Sequence, residues 1–436
     1  MQNCQTTAPT TSTAPSLWEA TAVAAEPSPP LTADVACDVA VEGAGFTGLR
    51  AALALAEGGA DVAVFDAHDV GWGASGRSGG QVNPMLPVKH PDDLWTAVGP
   101  DHFERLTEVS LNSADETFAL IHRYAIPCDA RQRGWLRVDH SPKARRLARN
   151  AAAAWNALGA GFAFVDGEDV HTLTGSPAYA SATLSTRGGA IHPLSLVRGL
   201  ARVARQRGAR LYSRAPIAAY RRLENRWHLS ASGHTIRAET VVLATNGYTG
   251  SPWVRLKGSV LPLYPVQIAT DPLGPDQLDG VLPKGHTVSD TRRLIMYARR
   301  EPGGQVVFGG IGYRRPWASP GGFAWLLKDA RRVFPSLASA TWRYRWGGQI
   351  ALTQDRIPHF HEPAPGLLAG LGYNGRGVAM ALVMGRILAE RALGAAPSTL
   401  PFPASPIKTM AFRDLQLAGA GVAMHWLRLR DSLEWR

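Results

Sequence analysis

The hexapeptide Gly43-Ala44-Gly45-Phe46-Thr47-Gly48 constrains this chain more than any other segment. It follows VACDVAVE, a short apolar run of the kind that forms a buried parallel strand. It opens LRAALALAEGG, where Leu49, Leu53 and Ala56 recur at helical spacing and Gly58-Gly59 stops the helix. A second apolar run, DVAVFDA, completes a β-α-β unit. In such a unit the first glycine permits the tight turn, the second lets backbone approach a pyrophosphate, and the third lets helix pack on strand. The helix N-terminus then offers free N–H groups and the positive end of its dipole. Asp66 ends the second strand eighteen residues after Gly48, where a carboxylate can accept hydrogen bonds from a ribose. Gly43, Gly45, Phe46, Thr47, Gly48, Asp66 and Ala67 are therefore candidates for one end of a dinucleotide site. Glu42 departs from the pattern, because an apolar residue is usual before the first glycine; it is expected to point away or to be neutralised by a basic neighbour.

The fingerprint does not choose between NAD and FAD, but the next segment does. FAD follows a longer path, and its ribityl chain and isoalloxazine need a second backbone cradle. GWGASGRSGGQVNP (71–84) supplies one, with Ala74, Ser75, Arg77, Ser78, Gly79, Gly80 and Gln81 as candidates. Thr245, Asn246 and Gly247 end the apolar run ETVVLAT, at the C-terminal strand edge where doubly wound sheets bind cofactors. GLGYNGRGV (370–378) is a glycine loop opening a long helix. Its N–H groups, with Arg376, suit negative charge near flavin N1 and the C2 carbonyl. Gly372, Tyr373, Asn374, Gly375, Arg376 and Gly377 join the cofactor set, as does Gly348 of WGGQIALT.

VEGAGFTGLRAALALAEGGADVAVFDAHDVGWGASGRSGGQ resembles the start of the D-amino-acid oxidase/glycine oxidase superfamily, nearest to its gamma-glutamylputrescine oxidase branch. The likeness continues through 191–212, 239–250, 289–300 and 346–390, essentially the whole chain after residue 33. It implies an α/β fold: a Rossmann-like, glutathione-reductase-like FAD-binding domain with a second, mainly antiparallel β-sheet-plus-helices substrate domain. It implies oxidation of an amine or amino-acid C–N bond by hydride transfer to flavin N5, with the imine hydrolysed in water. The alternatives are a sarcosine, N-methyl or D-amino-acid oxidase or dehydrogenase, or a non-catalytic flavin-binding subunit. The strand ending at Ala215-Pro216-Ile217 resembles the element whose backbone meets the adenine.

The catalytic candidates are Tyr297, which the resemblance puts over the flavin face, with Asn374, Trp346 and His192. Each has a plain alternative: core aromatics for Tyr297 and Trp346, a helix cap for His192. Tyr373, Tyr264 and Gln267 are further pocket candidates, while Lys257 matches the oxygen-activating lysine of some relatives poorly. Either O2 or another acceptor fits. No cysteine follows Cys128 and 71–84 contains no histidine, so FAD is expected to be held non-covalently.

The remaining features narrow the setting. The net charge is +11 and six of the 46 basic residues are Lys, but the arginine pairs are dispersed and no nucleic-acid motif is present. Cys4, Cys37 and Cys128 are far apart and form no metal or disulfide pattern. With neither a secretory signal nor an apolar run near the ~20 residues of a membrane helix, a cytoplasmic protein is expected. The expected organisation is a flexible leader over 1–33, in which only Leu17-Trp18 could dock, and an FAD domain from 34–100, 185–255 and 345–402. A substrate domain follows from 101–184 and 256–344, and a tail over 403–436 carries an amphipathic helix.

Overall fold

The computed structural model describes residues 15–313 and 322–435. The first fourteen residues, with Cys4, and Arg436 lie outside the described residues. Val35–Glu42 is a central strand of the first sheet, paired in parallel with Val62–Phe65 on one side and His234–Leu243 on the other. Arg210–Tyr212 and Leu367–Leu371 extend the parallel part, and His359–Ala364 adds an antiparallel edge. Ile217–Leu223 and Arg226–Ala231 hook onto His234–Leu243 as an antiparallel meander. Val39 and Val41 face the core shared with helix Phe46–Glu57, while Ala40 faces a second core with Ile217 and Trp227. Coverage of both faces is why these strands read as continuous apolar runs.

Helix Ala379–Ala392 lies against helix Phe46–Glu57. The close approach requires Gly385, where a Cβ would collide with the Thr47 carbonyl oxygen.

The second sheet runs in the order 344–347, 261–269, 306–312, 296–300, 287–290, 135–138, 181–185, 163–166. All its pairs are antiparallel except 287–290 with 135–138. Its own core includes Leu136, Ile268, Phe308 and Leu326. The expected two-sheet α/β architecture is therefore present, but two boundaries move. Helix Pro100–Arg123 places Leu106, Leu111 and Leu120 in the first sheet's core, and so packs with the FAD-domain body. Tyr344–Gly347 and Ile350–Leu352 pair with Leu261–Ala269, and so belong to the second sheet.

The expectation of a flexible leader fails for residues 15–33. Ser16 caps helix Leu17–Thr21 in a reciprocal capping box with Glu19, and Trp18 is fully buried. The segment then runs along helix Pro193–Gln206: Arg198 donates to the Val23 carbonyl at 2.6 Å, and Val23 N–H donates to Ser195 Oγ at 3.2 Å. The C-terminal helix, Arg413–Glu434, is anchored at its last turn, where Asp431 accepts from Arg293 at 2.8 Å and from Leu294 N–H at 3.0 Å. Among the described residues no helix is long and apolar enough to cross a membrane.

Candidate active site

The fingerprint turn is closed from both sides. Asp66 accepts from Ala44 N–H at 2.6 Å and His68 N–H at 2.8 Å, and Ser75 Oγ accepts from Phe46 N–H at 2.9 Å. Gly43 has φ +107, and its hypothetical Cβ would stand 3.0 Å from the Ala244 carbonyl oxygen. A Cβ on Gly48 would strike the Gly43 carbonyl oxygen, and one on Gly45 would meet Ser75 Oγ at 2.9 Å. This is the backbone cradle a dinucleotide pyrophosphate needs, and it tolerates only glycine at these positions. Ala215 N–H donates to the Asp66 carbonyl at 2.8 Å, so the turn bearing Pro216 and Ile217 lies beside Asp66. Pro216 and Ala67 are exposed there, and Ile217 is buried in the core beneath.

Glu42 points away from the first core. It accepts a hydrogen bond from the Tyr220 hydroxyl, whose ring lies 5.0 Å from that of Trp253. Burial raises its pKa to about 7, against the opposing hydrogen bond from Tyr220. Its partner is thus a tyrosine and not a basic residue, and it is burial, not Tyr220, that favours the neutral carboxyl.

The three loops expected to hold the flavin are tied to one another. Asn246, at φ +45, accepts from Gly372 N–H at 2.9 Å. Tyr373 and Thr47 share a buried hydrogen bond of 2.6 Å, linking the C-terminal glycine loop to the fingerprint helix. Gln349 donates to the Gly247 carbonyl, and Thr245 and Thr249 hydroxyls meet at 2.8 Å. The Cβ and Cδ of Arg77 border Gly348. Ala74 opens the short helix Ala74–Arg77 and is half-buried. Gly375 and Gly377 leave open room around their Cα atoms, with only Tyr373 carbons bordering Gly377.

Several candidates spend their polar atoms on neighbouring backbone and side chains. Asn374, at φ +51, donates to the Gly372 carbonyl and accepts from Thr353 N–H at 2.9 Å, so its amide is spent on the turn. His192 caps helix Pro193–Gln206: Nδ1 accepts from Ser195 N–H at 3.1 Å, and Nε2 meets the Thr21 hydroxyl at 3.1 Å. Burial pushes its pKa down to about 4, so it is a neutral cap without a free ring nitrogen. Trp346 is buried and donates to the Arg77 carbonyl at 3.1 Å. Gln81 donates to the Val288 and Ala298 carbonyls, joining the cofactor loop to the second sheet. Lys257 is exposed on the short helix Val254–Gly258.

Tyr297 does border the cofactor loop. Its ring would be 2.8 Å from a Cβ on Gly79, and it also fills the space over Gly309 on the neighbouring strand. Gln267 donates to its hydroxyl, and burial raises the phenol's pKa. The Gln267 carbonyl oxygen is itself buried without a hydrogen-bond partner among the described residues. Tyr264 begins the register of the same strand against Gly312.

Arg376 reaches across the domain boundary, and its guanidinium carbon lies 4.4 Å from the Trp135 ring centre. Burial, and then the Arg137 guanidinium, push its pKa down to about 9. Arg137 is lowered by burial, against Asp139 and Asp290. Neither guanidinium has an ion-pair partner within 4.0 Å among the described residues. The two guanidiniums act on each other at the junction of the sheets; Asp139 and Asp290 offset Arg137 from beyond ion-pair distance, and no carboxylate offsets Arg376 among the described residues. Sequence reasoning missed Arg137, Trp135, Arg299 and the depth of Trp18. Only Trp18 left a signal, the Ser16–Glu19 capping spacing around it.

A family model described as FAD dependent oxidoreductase (DAO) matches residues 38–391. This chain belongs to the DAO family of FAD-dependent oxidoreductases. Within the family it is 32% identical over 406 residues to "Probable oxidoreductase OrdL" of Rhizobium meliloti, covering 90% of this chain and 92% of the relative. It is 30% identical over 431 residues to gamma-glutamylputrescine oxidoreductase of Escherichia coli, covering 96% and 98%. The fold matches the crystal structure of glycine oxidase from Geobacillus kaustophilus at a TM-score of 0.70 with 20% identity, over 85% of this chain and 99% of that one. The DAO-family cofactor is FAD, and the glycine cradles above fit it.

Proposed function

We propose that this DAO-family enzyme oxidises the C–N bond of an amine that also carries an acidic group, in the manner of a gamma-glutamylputrescine oxidase. The observation that carries the substrate class is Arg376, stacked on Trp135 without an ion-pair partner among the described residues, with the Arg137 guanidinium acting on it. A carboxylate between two desolvated guanidiniums relieves their mutual repulsion and gains charge-assisted hydrogen bonds. The relative named gamma-glutamylputrescine oxidoreductase supports the same choice, since gamma-glutamylputrescine joins an amine at one end to an amino-acid carboxylate at the other.

Bound FAD supplies the hydride acceptor. The residues 71–84, 245–247 and 372–377 form its cradle, held without a covalent link. Arg137 and Arg376 fix the acidic end of the substrate, and Tyr297 with Gln267 walls the pocket beside Gly79. A desolvated wall favours the neutral amine, whose lone pair assists hydride departure, so no dedicated base is required. N-methyl and D-amino acids also carry a carboxylate and are the nearest alternative.

The test is an anaerobic titration of the purified holoenzyme with gamma-glutamylputrescine, putrescine, sarcosine and D-amino acids, following the visible flavin band. Bleaching by an acid-bearing amine is expected. A yellow protein that no amine bleaches would sink the amine assignment and favour a non-catalytic flavin subunit.

A further inference from the structure

Four consecutive carbonyls of the cofactor loop are gripped by side chains from three distant parts of the chain. Trp346 Nε1 donates to the Arg77 carbonyl at 3.1 Å. Trp18 Nε1 donates to the Ser78 carbonyl at 2.8 Å. Arg299 donates through one terminal nitrogen to the Gly79 and Gly80 carbonyls at 3.1 and 2.7 Å, and to the Ile191 carbonyl at 2.7 Å. The grips support one another. Trp18 packs edge-on against Trp346 with ring centres 5.6 Å apart, and Arg299 lies 5.1 Å from the Trp18 ring centre. Glu301 pairs with Arg299 and so fixes its guanidinium.

The carbonyl of one residue and the N–H of the next point to opposite sides of a trans peptide. Gripping the Arg77 and Ser78 carbonyls therefore turns the N–H groups of Ser78 and Gly79 to the other side of the loop. The Gly80 N–H is taken by Ser78 Oγ at 3.3 Å. A glycine-rich loop left to itself samples many peptide orientations, so an external clamp is what makes its N–H donors preorganised.

We propose that residues 15–33 act as a strap and that Trp18 is a positioning residue for FAD, presetting the peptide planes of the 77–80 loop. This rests on the loop being an FAD cradle, not on the identity of the substrate. Trp18 meets Ser78, His192, Trp346 and Arg299.

The experiment compares full-length wild type, Trp18→Phe and Trp18→Ala. The readouts are the FAD dissociation constant from flavin fluorescence on reconstitution, the visible circular dichroism of the bound flavin, and the melting temperature of the apoprotein. Trp18→Phe keeps an aromatic ring beneath Arg299 but loses the N–H donor. It is expected to weaken FAD binding roughly 3- to 10-fold and to alter the flavin dichroism while the apoprotein melts near wild type. Trp18→Ala is expected to weaken binding further. If Trp18→Ala does not fold, Trp18→Phe alone decides. Wild-type FAD affinity and dichroism in Trp18→Phe would overturn the proposal and leave Trp18 a packing residue. Failure of wild type itself to bind FAD would instead overturn the cofactor reading.

Discussion

Glu42 shows how much one residue can say once its neighbours are known. It stands before Gly43, where an apolar side chain is usual, and its carboxyl is half-buried against Tyr220 with a pKa near 7. The folded-state value lies above the ordinary 4.5, so the folded protein holds this proton more tightly than the unfolded chain. Its contribution is therefore intact below about pH 4.5 and is lost as pH rises through about 7. Glu42→Gln keeps an oxygen to accept from Tyr220 and removes the charge. Thermal melts should show no gain at pH 4.5 and a gain of about 1–3 kcal/mol at pH 8. A pH-independent difference would show that Glu42 is not the group responsible. Arg376 gives a second residue-scale expectation. Arg376→Gln should raise KM for an acid-bearing amine about 10- to 100-fold at pH 7, with a smaller effect on putrescine. The glycines were legible because each requirement is local: a positive φ, or an approach too close for a Cβ. Arg137 was not legible, because its meeting with Arg376 exists only where two sheets cross.

Elements divide the same way. The parallel strands and the fingerprint helix announce themselves by period and by their glycine stops. The C-terminal helix announces its period but not which face docks. Leu415, Val422, Trp426 and Leu429 are at least half exposed, while Asp431 is buried. The polar last turn decides the docking, because Arg293 and two backbone N–H groups are waiting for a carboxylate. Trp435 completes the anchor, lying 4.3 Å from Arg292 and 3.9 Å from Arg332 and stacked on Tyr179. Trp435→Ala should lower stability by about 3 kcal/mol, read from denaturant unfolding, and should leave the flavin spectrum unchanged. Loss of bound FAD in that variant would mean the anchor reaches the cofactor site. The leader was legible only at Leu17-Trp18, the pair expected to dock and found buried. Its Thr, Pro and Ser content describes a chain with few apolar residues, and it does not disclose the cap at Ser16 or the bond from Arg198 to the Val23 carbonyl.

At the scale of the whole molecule, two sheets with separate cores share one boundary, and the chain crosses it repeatedly. Gln81, Trp346 and Arg299 tie the 77–81 loop to the second sheet, so the proposed cofactor cradle and substrate wall would form one structure. Arg376 leaves the C-terminal glycine loop to meet Trp135 and Arg137 on the other sheet, so the proposed anion site would be a product of the packing of the two sheets. In the proposed function this junction selects an amine by its acidic group. The direct measurement is anaerobic stopped-flow of flavin bleaching, in wild type and Arg376→Gln, with gamma-glutamylputrescine and with putrescine. Wild type is expected to bleach at lower concentration with gamma-glutamylputrescine, and Arg376→Gln to erase most of that preference. Equal response to both amines in wild type, or a preference that survives in Arg376→Gln, would contradict this selection.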